Sequence, residues 1–252
     1  MQKILNKKIR YKIIIEYDGG NYFGWQKQPD ALTIAGQIEE AIFKVSGQRV
    51  EVVGSGRTDA KVHALGQVAH FDCSKELSEF TMRNALNFYL QEQDIAILDC
   101  QIVDEDFHAR FAAKKRYYQY KIVNRRAYLT LDKNRCFHVP YQLDEKKMQQ
   151  AANVLIGRYD FSSFRDSECQ AKSPIKTVDA IKVSRNGDRV NVDVVASSFL
   201  HHMVRNIAGT LVMVGGGKIS DKDVRDILLA KDRRLSGPNL PACGLYFVKV
   251  DY

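Results

Sequence analysis

The sequence predicts an α+β protein of two related ferredoxin-like (split βαβ) lobes, with a joined mixed or antiparallel sheet and helices on one side. Three observations lead there. Hydrophobic periodicity through residues 9–103 runs strand, helix, strand, strand, helix, strand, the order of a split βαβ unit. The rest of the chain repeats the same alphabet less cleanly. No low-complexity linker separates the halves, so the lobes are placed at residues 1–110 and 111–252, with the boundary near 105–112.

Ile9, Tyr11, Ile13, Ile15 and Tyr17 alternate with Arg10, Lys12 and Glu16, the period of a strand with one buried face. Asp18–Asp30 follows as a glycine-rich aromatic loop. Thr33 is placed to cap a helix whose apolar face is Ile34, Ile38, Ile42 and Val45, and Gly47 ends it. Strands are expected over 49–54 and 66–72, on either side of a loop that carries Asp59. A helix over 79–90 (Met82, Leu86, Tyr89) and a strand over 94–103 complete the first lobe. In the second, Tyr117–Val123 reads as a strand and 144–156 as a helix ended by Gly157. Asp179–Ser184 and Arg189–Ala196 flank Asn186 and Gly187, a two-residue hairpin signal. A helix over 200–214 puts Leu200, Val204, Ile207, Leu211 and Val214 on one stripe and stops at the glycines of 215–217. Asp221 can cap another helix, and Leu245–Tyr252 forms the last strand.

At 252 residues the chain can bury one large core or two small ones. A content of 45% hydrophobic and 27% charged residues is that of a soluble globular protein, and no run of about 18 apolar residues implies a membrane span. The basic MQKILNKKIR leads into a strand pattern without an apolar signal core, so no export is expected. Cys73, Cys100, Cys136, Cys169 and Cys243 are odd in number and irregularly spaced, with no CxxC pair. That argues against a disulfide framework or a zinc site, fits a reducing cytoplasm, and makes most of them buried small hydrophobes. Neither a metal nor a cofactor is expected. The net charge of +8 is unevenly shared: residues 1–110 carry 13 basic and 16 acidic side chains, net −3, whereas 111–252 carry 25 and 14, net +11. A polyanion is the natural partner of such a half, because neutralising phosphates releases counterions.

The run Gly54–Phe71, GSGRTDAKVHALGQVAHF, puts Asp59 on a glycine-loosened loop between strand-like segments, with Arg57 and Thr58 beside it. Such a carboxylate is either part of a polar turn that satisfies its own amides or a catalytic group held by rigid strands. GRTDAKVHA closely resembles the GRTDxGVHA signature of the tRNA pseudouridine synthases of the TruA type. The resemblance continues in order through IEYDGGNYFGWQKQ (15–28), DFHARFAAKKRYYQY (106–120), DFSSFR (160–165), FLHHMVRNIAGTL (199–211) and GLYFVKVDY (244–252). The clearest departure is Lys61, where the family usually has Gly.

The resemblance implies that Asp59 is the catalytic residue of a uridine isomerase acting on the anticodon stem-loop of tRNA, roughly at nucleotides 38 to 40. It also implies a homodimer. Arg57, two residues before the acid, and Arg205, on the helix 200–214, are the two cations that could keep the carboxylate ionised. The resemblance favours Arg205 as its partner. From the RxYxY segment Arg116, Tyr118, Tyr120 it assigns Tyr118 to the target uracil, although a one-residue slip would exchange Tyr117 for Tyr118. Leu245 would line the uracil pocket. His201 and His202 are adjacent, expected on different sides of a helix, and read as packing or RNA-facing groups rather than a metal pair.

Phe107–Leu131 holds seven cations and no acid, interleaved with Phe111, Tyr117, Tyr118, Tyr120 and Tyr128. Cations for phosphate and flat rings for bases are the elements of an RNA surface, and Lys114, Lys115 and Arg116 are its expected core. Tyr22, Phe23 and Trp25 with Lys27 form a second such group, in which Trp25 is either an RNA contact or a core plug. Two other readings are weaker. A non-catalytic RNA-binding module accounts for charge and rings but leaves Asp59 unexplained, and a phosphate loop at GSG lacks the following GK[ST] and helix.

Overall fold

The computed structural model describes residues 8–252, so the basic MQKILNK stretch lies outside the described residues. Among the described residues, five α-helices and ten strands give the α+β make-up expected. They fall into two compact units, one running through Lys114 and including Phe247–Tyr252, the other Lys115–Tyr246. The last stretch of chain therefore returns to the first unit.

In the first unit β1 (Ile9–Tyr17), α1 (Ile34–Ser46), β2 (Val53–Gly54), β3 (His63–Cys73), α2 (Glu79–Leu90) and β4 (Ile95–Val103) follow the predicted order. The strands lie β4-β1-β3, with β2 on β3, and every pairing is antiparallel. That is the arrangement of a split βαβ unit. Tyr11, Ile13, Ile15 and Tyr17 are the buried face of β1, and the Tyr11 ring stacks on Phe71 at 5.4 Å. Ile34, Ile38 and Ile42 of α1, and Met82, Leu86 and Leu90 of α2, are buried at helical spacing. Each such side chain contributes about 1.5 to 3 kcal/mol of transfer free energy.

Caps account for the helix ends. Ser78 accepts from the Thr81 amide to start α2, and Gly47, at φ +73°, closes α1 by donating to Phe43 O at 2.7 Å. Thr33 occupies the N-cap of α1 but its side chain makes no capping bond. The strand expected over 49–54 shrinks to β2, because the Val52 amide is taken by the Glu39 carboxylate of α1 at 3.1 Å and is lost to the ladder.

The second unit contains β5 (Lys115–Asn124), β6 (Phe137–Val139), α3 (Glu145–Asn153), β7 (Gly157–Asp160), β8 (Ile175–Asn186), β9 (Arg189–Ala196), α4 (Met203–Gly215) and α5 (Asp221–Ala230). Its strands run β5-β9-β8-β7, antiparallel throughout, with the short β6 parallel to β5. Asn186 pairs with Arg189, so the hairpin turn is Gly187 and Asp188, one residue beyond the predicted pair, with Gly187 at φ +59°. Helix α4 buries Val204, Ile207, Leu211 and Val214 as expected but starts at Met203, because His202 adopts φ +61°. Helix α5 is capped by a reciprocal Ser220–Asp223 box rather than by Asp221. The final strand, β10 (Leu245–Asp251), lies beside β3 in the first unit through its Phe247–Asp251 part. All five cysteines are free thiols, four of them buried. Among the described residues no helix is long and apolar enough to cross a membrane.

Candidate active site

Asp59 sits half-buried on the loop between β2 and β3, and main-chain hydrogen bonds hold that loop. Trp25 N donates to Thr58 O at 3.0 Å, Lys61 N donates to Tyr22 O at 3.2 Å, and Val62 N closes a turn on Asp59 O at 3.2 Å. The aromatic loop 18–30 and the Asp59 loop are thus laid backbone against backbone. A Cβ on Gly24 would stand 2.6 Å from Thr58 O, one on Gly19 2.0 Å from Val62 O, and one on Gly54 2.6 Å from the Trp25 ring. Only glycine admits that approach.

Side chains fix the loop from below. The hydroxyls of Tyr17 and Thr58 share a 2.8 Å hydrogen bond in the core, where burial pushes the Tyr17 phenol well above its usual range and keeps it protonated. Ser55 Oγ donates to Gln67 Oε1 at 2.5 Å, and Gln67 Nε2 donates to Gly56 O at 2.9 Å. Gln67 is fully buried, so this side chain ties both ends of the glycine turn to β3. His63 accepts from the Gly19 amide through Nδ1 at 3.1 Å, beside Asp18. None of Tyr17, His63 or Gln67 was singled out in the sequence: Tyr17 and Gln67 read as strand residues, and His63 as part of the Asp59 loop, whereas β3 in fact begins at His63.

Lys61 has φ +66°, the left-handed conformation that favours glycine. The loop keeps its tight turn with lysine there and stores strain instead. Lys61→Gly is expected to raise the unfolding free energy by about 0.5 to 1 kcal/mol, read as a shift in the urea midpoint. A lower midpoint would show that the lysine side chain repays the strain.

Arg57 is exposed on the same loop. Trp25 is 3% exposed, with its ring against Gly54 and 6.2 Å from Tyr17, so it is the core plug rather than a ring open to a base. Tyr22 is buried as well, and Lys27 is paired with Glu39 at 2.9 Å. Of that aromatic group only Phe23 is exposed.

In the second unit Tyr118 and Tyr120 share the buried face of β5, and Tyr118 meets Phe199 edge-on at 5.0 Å. Tyr117, half-buried, points to the opposite face. The Tyr120 hydroxyl donates to Pro241 O at 2.7 Å, and Gly244 packs on its ring, which positions Leu245, 7% exposed, at the start of β10. Arg205 leaves the apolar stripe of α4 and is steered by an Nε bond to Leu240 O at 2.7 Å. His201 and His202 do not diverge along a helix. The left-handed turn at His202 stacks their rings at 3.8 Å, and His202 Nδ1 lies 2.7 Å from Asp166 Oδ2. The Glu168 amide first, and then His202, hold the Asp166 carboxyl below its usual range.

Lys114 and Lys115 are exposed where β5 begins. Lys115 lies 3.5 Å from Asp179, and Arg116 reaches Ser197 O at 2.5 Å. The segment leading in is clamped by Arg10, bidentate to Asp72 at 2.7 and 2.8 Å and donating to the carbonyls of Glu105 and Phe107.

Comparison with known proteins gives concordant results. The family model of tRNA pseudouridine synthase matches residues 13–112 and 151–252. A tRNA pseudouridine synthase A of Rhodopseudomonas palustris is 51% identical over 243 residues, covering 96% of this chain and 99% of that protein. Proteins of the same name from Ehrlichia ruminantium (49% identical, 97% and 100% covered) and Paramagnetospirillum magneticum (48%, 96% and 95%) are similar throughout.

Proposed function

The chain belongs to the tRNA pseudouridine synthase family, and on that premise we propose that it isomerises uridine to pseudouridine in the anticodon stem-loop of tRNA. The target is roughly nucleotide 38, 39 or 40, and Asp59 is the catalytic nucleophile or base. The observation that carries the reading is the Asp59 loop, whose main chain is fixed on both sides while its one carboxylate comes from a half-buried position. The reaction breaks the bond from C1′ to N1, turns the uracil in place, joins C5 to C1′, releases the C5 proton and places one proton on the freed N1. Its atoms and electrons balance without an oxidant or reductant. The protein has to supply an ionised carboxylate and a dry pocket for the detached ring. Arg57, Tyr118, Arg205 and Leu245 are assigned to the substrate, and Lys114, Lys115 and Arg116 to the RNA backbone. A cytoplasmic homodimer is the form proposed.

The test is tritium release from tRNA carrying [5-³H]uridine. Release by the wild-type protein alone supports the isomerase. RNA binding without release returns the chain to the alternative of a non-catalytic RNA-binding module. Reversing the charge of Lys114, Lys115 and Arg116 is expected to weaken tRNA binding and to flatten the slope of log Kd against log salt by about 2. An unchanged slope removes that segment from the interface.

A further inference from the structure

The isomerase reading assigns cations to the RNA backbone but leaves unexplained an aromatic ring held out in water. Phe111 is 76% exposed, near the end of the first unit's continuous stretch. An exposed phenylalanine is ordinary when it is loose. This one is built in. His108 accepts through Nδ1 from the amides of both Arg110 and Phe111, at 3.2 and 3.3 Å, which fixes the turn and leaves that nitrogen without a proton. The His108 ring leans on Phe111 at 4.3 Å and 35° and meets the His70 ring at 4.9 Å. His70 is itself buried, accepts from the Ala109 amide, and meets Phe107 at 6.1 Å; Phe107 packs on Tyr252 at 5.0 Å. Burial, and then the charge of Arg10, push the His70 imidazole down to about 4, so the column stands on an uncharged ring at neutral pH.

The column ends in water at Phe111, with the Arg110 guanidinium 5.8 Å from its centroid and Lys114 exposed three residues on. The acids just upstream act elsewhere: Glu105 and Asp106 bear on Arg10, which is already clamped to Asp72. A rigid flat apolar ring with cations at its edge matches the two chemistries of a nucleotide, a π-face and a phosphate.

Resting on the isomerase reading, we infer that Phe111 is a stacking platform for one unpaired nucleotide of the tRNA, distinct from the target uridine. It holds the RNA while the chemistry proceeds elsewhere, so its removal changes affinity rather than the chemical step. With an unmodified tRNA transcript, Phe111→Ala is expected to raise Kd and KM roughly tenfold, with kcat at saturating tRNA within about twofold of wild type and the melting temperature unchanged. Phe111→Trp should restore wild-type affinity, and its indole emission should be quenched by the transcript, whereas wild-type Trp25, being buried, should report no such quenching. A Kd for Phe111→Ala within twofold of wild type overturns the inference, as does a fall in kcat at unchanged Kd. Phe111→Trp emission that stays constant while RNA binds overturns it too. If quenching and the Kd change appear but the wild type releases no tritium, the platform stands and the isomerase reading falls.

Discussion

Asp59→Asn is expected to cut tritium release from [5-³H]uridine tRNA by at least roughly 10³-fold while leaving the Kd for tRNA within about twofold. The size follows from the role. A carboxylate that attacks carbon or removes a proton has no substitute in an amide, and losing such a group costs at least the 10² to 10⁴ attributed to general acid–base catalysis. The selectivity follows from how the loop is held. Main-chain bonds of the Asp59 and Thr58 carbonyls and the Lys61 amide, and the Thr58 hydroxyl bond, help shape it and survive the substitution. Asparagine is also nearly isosteric with aspartate, so the fold and the cationic RNA surface should be intact. Joint loss of turnover and binding would mean that the side chain shapes the loop. Undiminished release would mean that another group does the chemistry.

The elements of the first unit were legible because single-face burial writes itself into sequence. Tyr11 to Tyr17 at period two and Met82 and Leu86 at period four reappear as buried faces with nearly the expected bounds, but Leu90 and not the expected Tyr89, which is exposed, completes the buried face of α2. What escaped depends on bonds between segments distant in the chain. Nothing near Val52 announces that Glu39 takes its amide, and nothing in HHMVR announces that His202 turns left-handed and delays α4. The candidate site divides in the same way. Asp59 was legible as a carboxylate on a glycine-rich loop, a local signal. Its supports were not, since Gln67 bonds back to Ser55 and Gly56 across a turn, and Tyr17 reaches Thr58 from another strand. Trp25 shows the limit of composition: a tryptophan on a glycine-rich loop fits stacking or packing equally, and only Gly54, which makes room for the ring, decides for packing.

The loop geometry makes its own demand at Gly24. Gly24→Ala is expected to cost about 2 to 4 kcal/mol of stability and, at temperatures where the variant remains folded, more than tenfold in kcat. Two penalties combine. At φ +94° the position lies outside the regions an L-residue occupies comfortably, worth about 1 to 3 kcal/mol. The added methyl would also sit 2.6 Å from Thr58 O, 3.1 Å from Asp59 C and 3.2 Å from Ala60 N, all backbone atoms with no rotamer to swing aside. The backbone forced to move is that of residues 58–60, so the strain is delivered to the carboxylate itself, where a misplacement of about 1 Å can cost 10²-fold. Gly47→Ala supplies the control. Gly47 has φ +73° but nothing within 4 Å of the position its Cβ would take, so it should lose only the conformational term, about 1 kcal/mol, with kcat unaltered. Urea midpoints and single-turnover tritium release on the two variants separate the contributions. If Gly24→Ala loses no more stability than Gly47→Ala, or keeps full kcat, then the close approach of the two loops does not position Asp59.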